Sequence, residues 1–207
     1  MVATFDIDHK RYNAIRLLLS ADAYVRQRLE DILSKLRDAK FNKWEKDFGV
    51  CLVHRHFELK ENEVVLERGL VSQPAPNSST RYAERWVKLD DKYMAYEFTD
   101  MPTSSPPKEL WDAFIQIVSD AGMSDALGLF YLPSQIREGK FGLETSSEDD
   151  RTNTIEYRDS LLDDSSVVRA AWRIGSPSNK TDAGVCTGCT LNTHHVSLSS
   201  KVSTAQT

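Results

Sequence analysis

The chain has 207 residues, of which 40% are hydrophobic and 28% charged, with a formal net charge of -5. That is an ordinary globular composition, rich enough for one domain with a core of its own. The negative balance and the lack of a Lys/Arg run argue against nucleic acid as a partner, and no run approaches the roughly 20 apolar residues that span a bilayer.

The N-terminal stretch Met-Val-Ala-Thr-Phe-Asp-Ile-Asp carries early acids and no apolar signal core, so a cytoplasmic protein is expected. Residues 9–39 repeat apolar side chains at helical spacing: Tyr12, Ile15, Leu18 and Leu19, then Val25, Leu29, Ile32, Leu33 and Leu36. Ser20-Ala-Asp22 is the expected break between two amphipathic helices. Val50–Leu59 and Glu63–Leu70 are rich in β-formers, and Lys60-Glu-Asn62 between them predicts a hairpin with Arg55 opposite Glu67. Residues 71–80, with Pro74 and Pro76, are expected to be a loop. A second hairpin is predicted from Tyr82–Leu89, a turn at Asp90-Asp91, and Lys92–Phe98.

Ser105 with Pro106 and Pro107 should open a central helix carrying Leu110, Phe114, Ile117 and Val118, ending near Gly122. Further strands are expected at 127–132, 141–145, 154–158 and 167–174. From Gly175 onward large apolar residues nearly vanish. The expected organisation is one domain over 1–175 and a polar, flexible tail over 176–207. The sum is an α+β fold: N-terminal helices and one central helix packed on a mostly antiparallel β-sheet.

The chemistry-bearing residues fall in two clusters. His54 and His56 alternate along the Val50–Leu59 strand, which puts both imidazoles on one face. Neutral imidazole is a good ligand for zinc and other transition ions. The second cluster is Cys186-x-x-Cys189, followed by His194 and His195. Cys51 completes the cysteines, an odd count that does not suggest a disulfide framework. Joined, His54, His56, Cys186 and Cys189 would make a four-coordinate zinc set, with His194 as a substitute ligand. Glu58 and Glu61 are the nearest candidates for a catalytic acid or base, and Trp86 and Tyr96 for an apolar substrate pocket.

Gly49-x4-His54-x-His56-x4-Glu61-x7-Gly69 resembles the first motif of the cupins, which implies a β-barrel whose histidines and glutamate bind a metal. Its spacings depart before the histidines and after the glutamate, and no further histidine follows until His194. Cys186-x2-Cys189-x4-His194 resembles three ligands of a zinc knuckle, with Ser199 where the fourth would stand. Phe48-Gly-Val-Cys-Leu-Val-His54, Glu67-Arg-Gly69, Ala83-Glu-Arg-Trp86 and the Cys-x-x-Cys together resemble small uncharacterised proteins of filamentous fungi. Such proteins include accessory enzymes of secondary metabolism. The leading expectation is a metal-binding protein, with zinc as the ion and a small organic molecule as substrate. The alternatives are a metal-free cyclase or isomerase using a histidine as acid-base, and a non-catalytic interaction protein.

Overall fold

The computed structural model describes residues 5–38, 41–138, 140–160, 167–174 and 188–191. The chain opens with β1 (Phe5–Asp6), α1 (His9–Asn13), α2 (Leu18–Val25) and α3 (Leu29–Asp38). Asp8 caps α1, its carboxylate accepting from the Arg11 backbone N–H at 2.9 Å. The first helical break falls after Asn13, not at Ser20–Asp22, which lies inside α2. The reason is tertiary: the Arg16 carbonyl accepts from the Arg55 N–H at 3.0 Å, and Leu17 bridges Arg55 in parallel. Backbone engaged in this way cannot continue a helical ladder.

The strands that follow are β2 (Phe48–Leu52), β3 (Glu63–Arg68), β4 (Val71–Pro76), β5 (Tyr82–Leu89) and β6 (Lys92–Thr99). Then come α4 (Lys108–Asp120), β7 (Leu127–Tyr131), α5 (Ser134–Arg137), β8 (Phe141–Ser147) and β9 (Thr152–Arg158). The last described elements are β10 (Val168–Arg169), β11 (Ala171–Arg173) and β12 (Gly188–Leu191). The twelve strands among the described residues join one sheet in the order β10-β12-β8-β9-β4-β3-β6-β5-β7-β2-β11, with β1 beside β6. Pairing is mostly antiparallel; β1 with β6, β3 with β6, and β12 with β8 run parallel. No helix among the described residues is long and apolar enough to cross a membrane.

Several sequence expectations need correction. The Val50–Leu59 hairpin with β3 does not form: β2 ends at Leu52 and pairs with β7 and β11, while β3 pairs with β4 and β6. Residues 71–80 do not form a loop throughout, because β4 runs through both prolines. Pro74 and Pro76 stand opposite Val65 and Glu63 of β3, whereas β9 pairs only with Val71 and Ser72 of β4. The prolines therefore lie where β4 has one neighbour, and their missing donors cost no ladder bond on the other side. The β3–β4 turn is a two-residue Gly69-Leu70, with Gly69 at φ +65. The Asp90-Asp91 turn forms as expected, with φ of 48 and 58 at the two aspartates. Pro107, rather than Ser105, occupies the N-cap of α4.

The sheet separates two cores. On one face α2, α3 and α4 pack onto Phe48, Val50, Leu52, Trp86, Ala95 and Phe98. Trp86, Trp111 and Phe114 are fully buried there, each stabilising the fold by about 2–3 kcal/mol. The other face curls around its own interior. Arg85 of β5 and Glu144 of β8 stand five strands apart in the order, which a flat sheet would stretch to about 24 Å. Their side chains meet at 2.6 Å. The curl encloses an apolar group that includes Val65, Val87, Met94 and Tyr96, and beside it a set of charged side chains.

Candidate metal centre

Two bulges aim the charged residues inward. The β5–β6 ladder runs from Leu89 opposite Lys92 to Trp86 opposite Ala95, then slips, so that Arg85 faces Glu97 and Ala83 faces Phe98. Tyr96 is the extra residue on β6 and Glu84 the extra residue on β5. A bulge places two consecutive side chains on one face of a strand. Glu84 with Arg85, and Tyr96 with Glu97, thus reach the interior, while Trp86, Ala95 and Phe98 stay under the helices. In β8 the buried positions are Gly142, Glu144 and Ser146, and the apolar Phe141 and Leu143 are only half-buried. This strand turns its polar face inward.

His54 and His56 arrive on an irregular segment beyond β2, with a bend at His56 and Phe57. Its backbone is held by groups outside the sheet. The Val53 N–H donates to the Ala126 carbonyl at 2.8 Å. Asn13 exchanges two hydrogen bonds with the Leu59 backbone, at 2.8 and 2.9 Å. Arg151 donates twice to the Glu58 carbonyl, at 3.0 and 2.8 Å, and pairs with Glu63. Both imidazoles are buried and meet edge to face, with ring centroids 4.7 Å apart.

Each imidazole has its proton placed by a neighbour. His54 Nδ1 donates to the Leu52 carbonyl at 2.8 Å, leaving the lone pair on Nε2. Burial, and then the neighbouring His56, push the His54 pKa down to about 4, so the ring is neutral at pH 7. His56 Nδ1 lies 2.9 Å from Ser146 Oγ, whose single proton goes to Asn153 Oδ1 at 3.0 Å. The hydroxyl can then only accept from His56, which places a ring proton on Nδ1; the neutral ring has its lone pair on Nε2.

His56 Nε2 faces two carboxylates. Glu97 Oε1 is 3.5 Å and Glu144 Oε2 3.7 Å from His56 Nε2. Both separations exceed hydrogen-bond length. His56 Nε2 and Glu97 Oε1 are buried with no hydrogen-bond partner among the described residues. The second oxygen of each carboxylate is held by Arg85, whose Nη2 donates to Glu144 Oε1 at 2.6 Å and whose Nε stands 3.2 Å from Glu97 Oε2. Burial raises the Glu97 pKa, but the Arg85 charge, and then His56 when its ring is protonated, outweigh it, so the carboxyl lies below its ordinary range. Arg85 stays charged, because Glu144 and Glu97 outweigh its own burial. One donor atom each from His54, His56 and Glu144 all lie within 4.8 Å of one another. These three residues form a buried group that could hold a metal ion. No protein-family model, no curated protein and no solved structure matches the chain.

The other sequence candidates lie apart from this group or beyond the described residues. Glu58 is exposed and ion-paired to Arg55, and Glu61 is exposed in the turn before β3. Trp86 belongs to the helix-side core, whereas Tyr96 is on the opposite face, its hydroxyl 3.4 Å from Cys51 Sγ. The pair therefore does not line one pocket. Cys186, His194 and His195 lie outside the described residues. Cys189 lies in β12, its backbone in register with that of Glu144. Sequence reasoning missed Glu144, Glu97 and Arg85. The available signal was charge inside otherwise apolar strands: Glu84-Arg85 before Trp86, and Glu97 between Tyr96 and Phe98.

Proposed function

We propose that the protein binds one divalent transition-metal ion through His54, His56 and Glu144 and uses it as a Lewis acid on a small organic substrate. One observation carries this reading. Nε2 of His56 is buried, has no hydrogen-bond partner among the described residues, and faces two carboxylate oxygens at 3.5 and 3.7 Å. Two donors bound to one zinc at tetrahedral angles stand roughly 3.4 Å apart. Arg85 pairs with both Glu97 and Glu144. Two imidazoles and a carboxylate suit zinc with a position left open, and they also form the set used by non-haem iron(II). A substrate oxygen would enter as a further ligand. The test is elemental analysis of full-length protein purified without chelator or affinity tag, followed by titration with zinc and iron(II). Roughly one equivalent should bind tightly. Less than about a tenth of an equivalent under both conditions overturns the proposal.

A second reading has its own support. A proton on His56 Nε2 would turn the same two distances into ion pairs, giving an imidazolium held between Glu97 and Glu144 as a metal-free acid-base. Nitrogen-15 NMR of metal-free protein at pH 7 separates the two: one protonated ring nitrogen supports the metal, two support the acid-base.

A further inference from the structure

Two of the inward-facing acids pair with no cation. Glu84, the extra residue of the β5 bulge, is 8% exposed, and Glu67 of β3 is half-buried. Among the described residues neither carboxyl makes a hydrogen bond or an ion pair. Nor do they join the donor group, which is His54, His56 and Glu144. A metal ion would need more donors than these two acids supply.

The pair stands toward the other end of the curl from the histidines. The strand order starts at β10 and finishes at β11, which Ala170 alone separates in the chain, so the sheet returns on itself and opens at its ends. The histidine segment is tied at one end, where Arg151, beside the β8–β9 turn, holds the Glu58 carbonyl. Along β8, Ser146 meets His56, Glu144 meets Arg85, and Gly142 lies about 13 Å beyond Ser146. Tyr157 of β9 stands opposite Gly142, so no side chain fills the inward position beside it. The tyrosine is half-buried, and its hydroxyl is raised above its ordinary value by burial and then by the charges of Glu67 and Glu84, which puts it near both. It packs on an apolar group that includes Phe130, the cross-strand neighbour of Arg85. Acids without a cation beside aromatic rings are complementary to an organic ammonium: carboxylates accept its N–H groups, and ring faces attract its charge.

We propose that this end of the curl binds a protonated amine with an apolar body, its ammonium paired to Glu84 and Glu67 and its body against Tyr157 and Phe130. The inference goes beyond the metal reading, since the pair lies outside the donor group and needs no ion. Both carboxyls lie above their ordinary range, so the ion pair forms as a carboxyl releases its proton to solvent.

The experiment is calorimetry on full-length protein, as purified and after chelator treatment, with butylamine, phenethylamine and tryptamine, each against the alcohol of the same skeleton. At least one amine should bind tighter than about 1 mM and at least about tenfold tighter than its alcohol. Repeating the titration at pH 7 in buffers of different ionisation enthalpy should show about one proton released per amine. Glu84→Gln and Glu67→Gln should each weaken that amine at least about tenfold, while Glu30→Gln on the exposed face of α3 stays within about twofold. No amine binding tighter than about 1 mM, equal binding of amine and alcohol, or unchanged affinity in either variant overturns the proposal. If the variants do not fold, infrared spectra of wild type decide: the carbonyl band of protonated carboxyl falls on amine addition, and a constant band refutes the pair. Metal binding without amine binding overturns this inference and leaves the metal site standing. Amine binding by a protein that takes up no metal supports the inference and overturns the metal reading.

Discussion

His56 is useful because a serine decides where its proton sits. Ser146 has one hydrogen and gives it to Asn153, so the imidazole must donate from Nδ1 and present Nε2 to the carboxylates. Orientation of a ligand by its outer partner typically affects metal affinity by about 10–100-fold. Ser146→Ala should therefore lower zinc affinity by at least about tenfold. It should also move the His56 ring proton between nitrogens in long-range proton–nitrogen NMR. A lost affinity with an unmoved tautomer would assign Ser146 to packing alone. At this scale the histidines were legible as a pair from their spacing, although the segment that brings their rings together is not the predicted strand. Glu144 was not. Its strand, Phe141-Gly-Leu-Glu-Thr-Ser-Ser147, buries its polar positions and half-exposes its apolar ones, the reverse of the alternation that ordinarily marks a core face.

At the scale of the element, the segment from Val53 to Lys60 shows why a β-rich sequence does not have to become a strand. Its β-formers predict a ladder, but its backbone groups find partners in Ala126, Arg16 and the Asn13 side chain. Those bonds occupy the Val53, Arg55 and Leu59 N–H donors that a ladder with β3 would use. Asn13 is the side-chain partner among these, and removing its amide deprives the Leu59 backbone of two hydrogen bonds. Asn13→Ala should destabilise the fold by about 2–3 kcal/mol in urea denaturation. It should also weaken metal binding, because the strap that carries both histidines loosens. Unchanged stability would mean that water replaces the amide without loss. The prolines of β4 make the complementary point. They read as loop residues in isolation and are tolerated in a strand because β9 leaves that stretch of β4 unpaired.

For the whole molecule, the curl of the sheet sets the chemistry by excluding water from a crowd of acids. Glu84 and Glu67 join Glu97, Glu144 and Arg85 in the interior. Burial, followed for Glu67 by its neighbour Glu84, lifts both carboxyls above the ordinary value; Glu84 is pushed up to about 7, with Glu97 and Glu144 adding to burial against Arg85. The folded Glu84 therefore keeps its proton where the unfolded chain has lost it. Its contribution is fully present below about pH 4.5 and fades as pH rises to about 7, a difference on the order of 3 kcal/mol. Glu84→Gln carries a permanent neutral group of the same shape. It should be more stable than wild type at pH 8 by most of that amount and close to wild type at pH 4.5. Urea unfolding of both proteins at the two pH values measures this, and parallel pH profiles would show that Glu84 ionises freely in the fold.

Local information was enough for much of the architecture. The Asp90-Asp91 hairpin followed from turn chemistry, α4 from its apolar stripe after two prolines, and the α+β character from the alternation of periods. The His54-x-His56 spacing also marked the two imidazoles as a pair, though not on the strand it predicted, because β2 ends at Leu52. Tertiary structure alone decided what they face. Glu97 and Glu144 come from strands that stand four places apart in the sheet, and only its curl, with one-residue slips in β5 and β6, brings their oxygens to His56. Neither curl nor slip leaves a periodic trace in the chain, because both arise from how distant strands pair rather than from what each strand prefers.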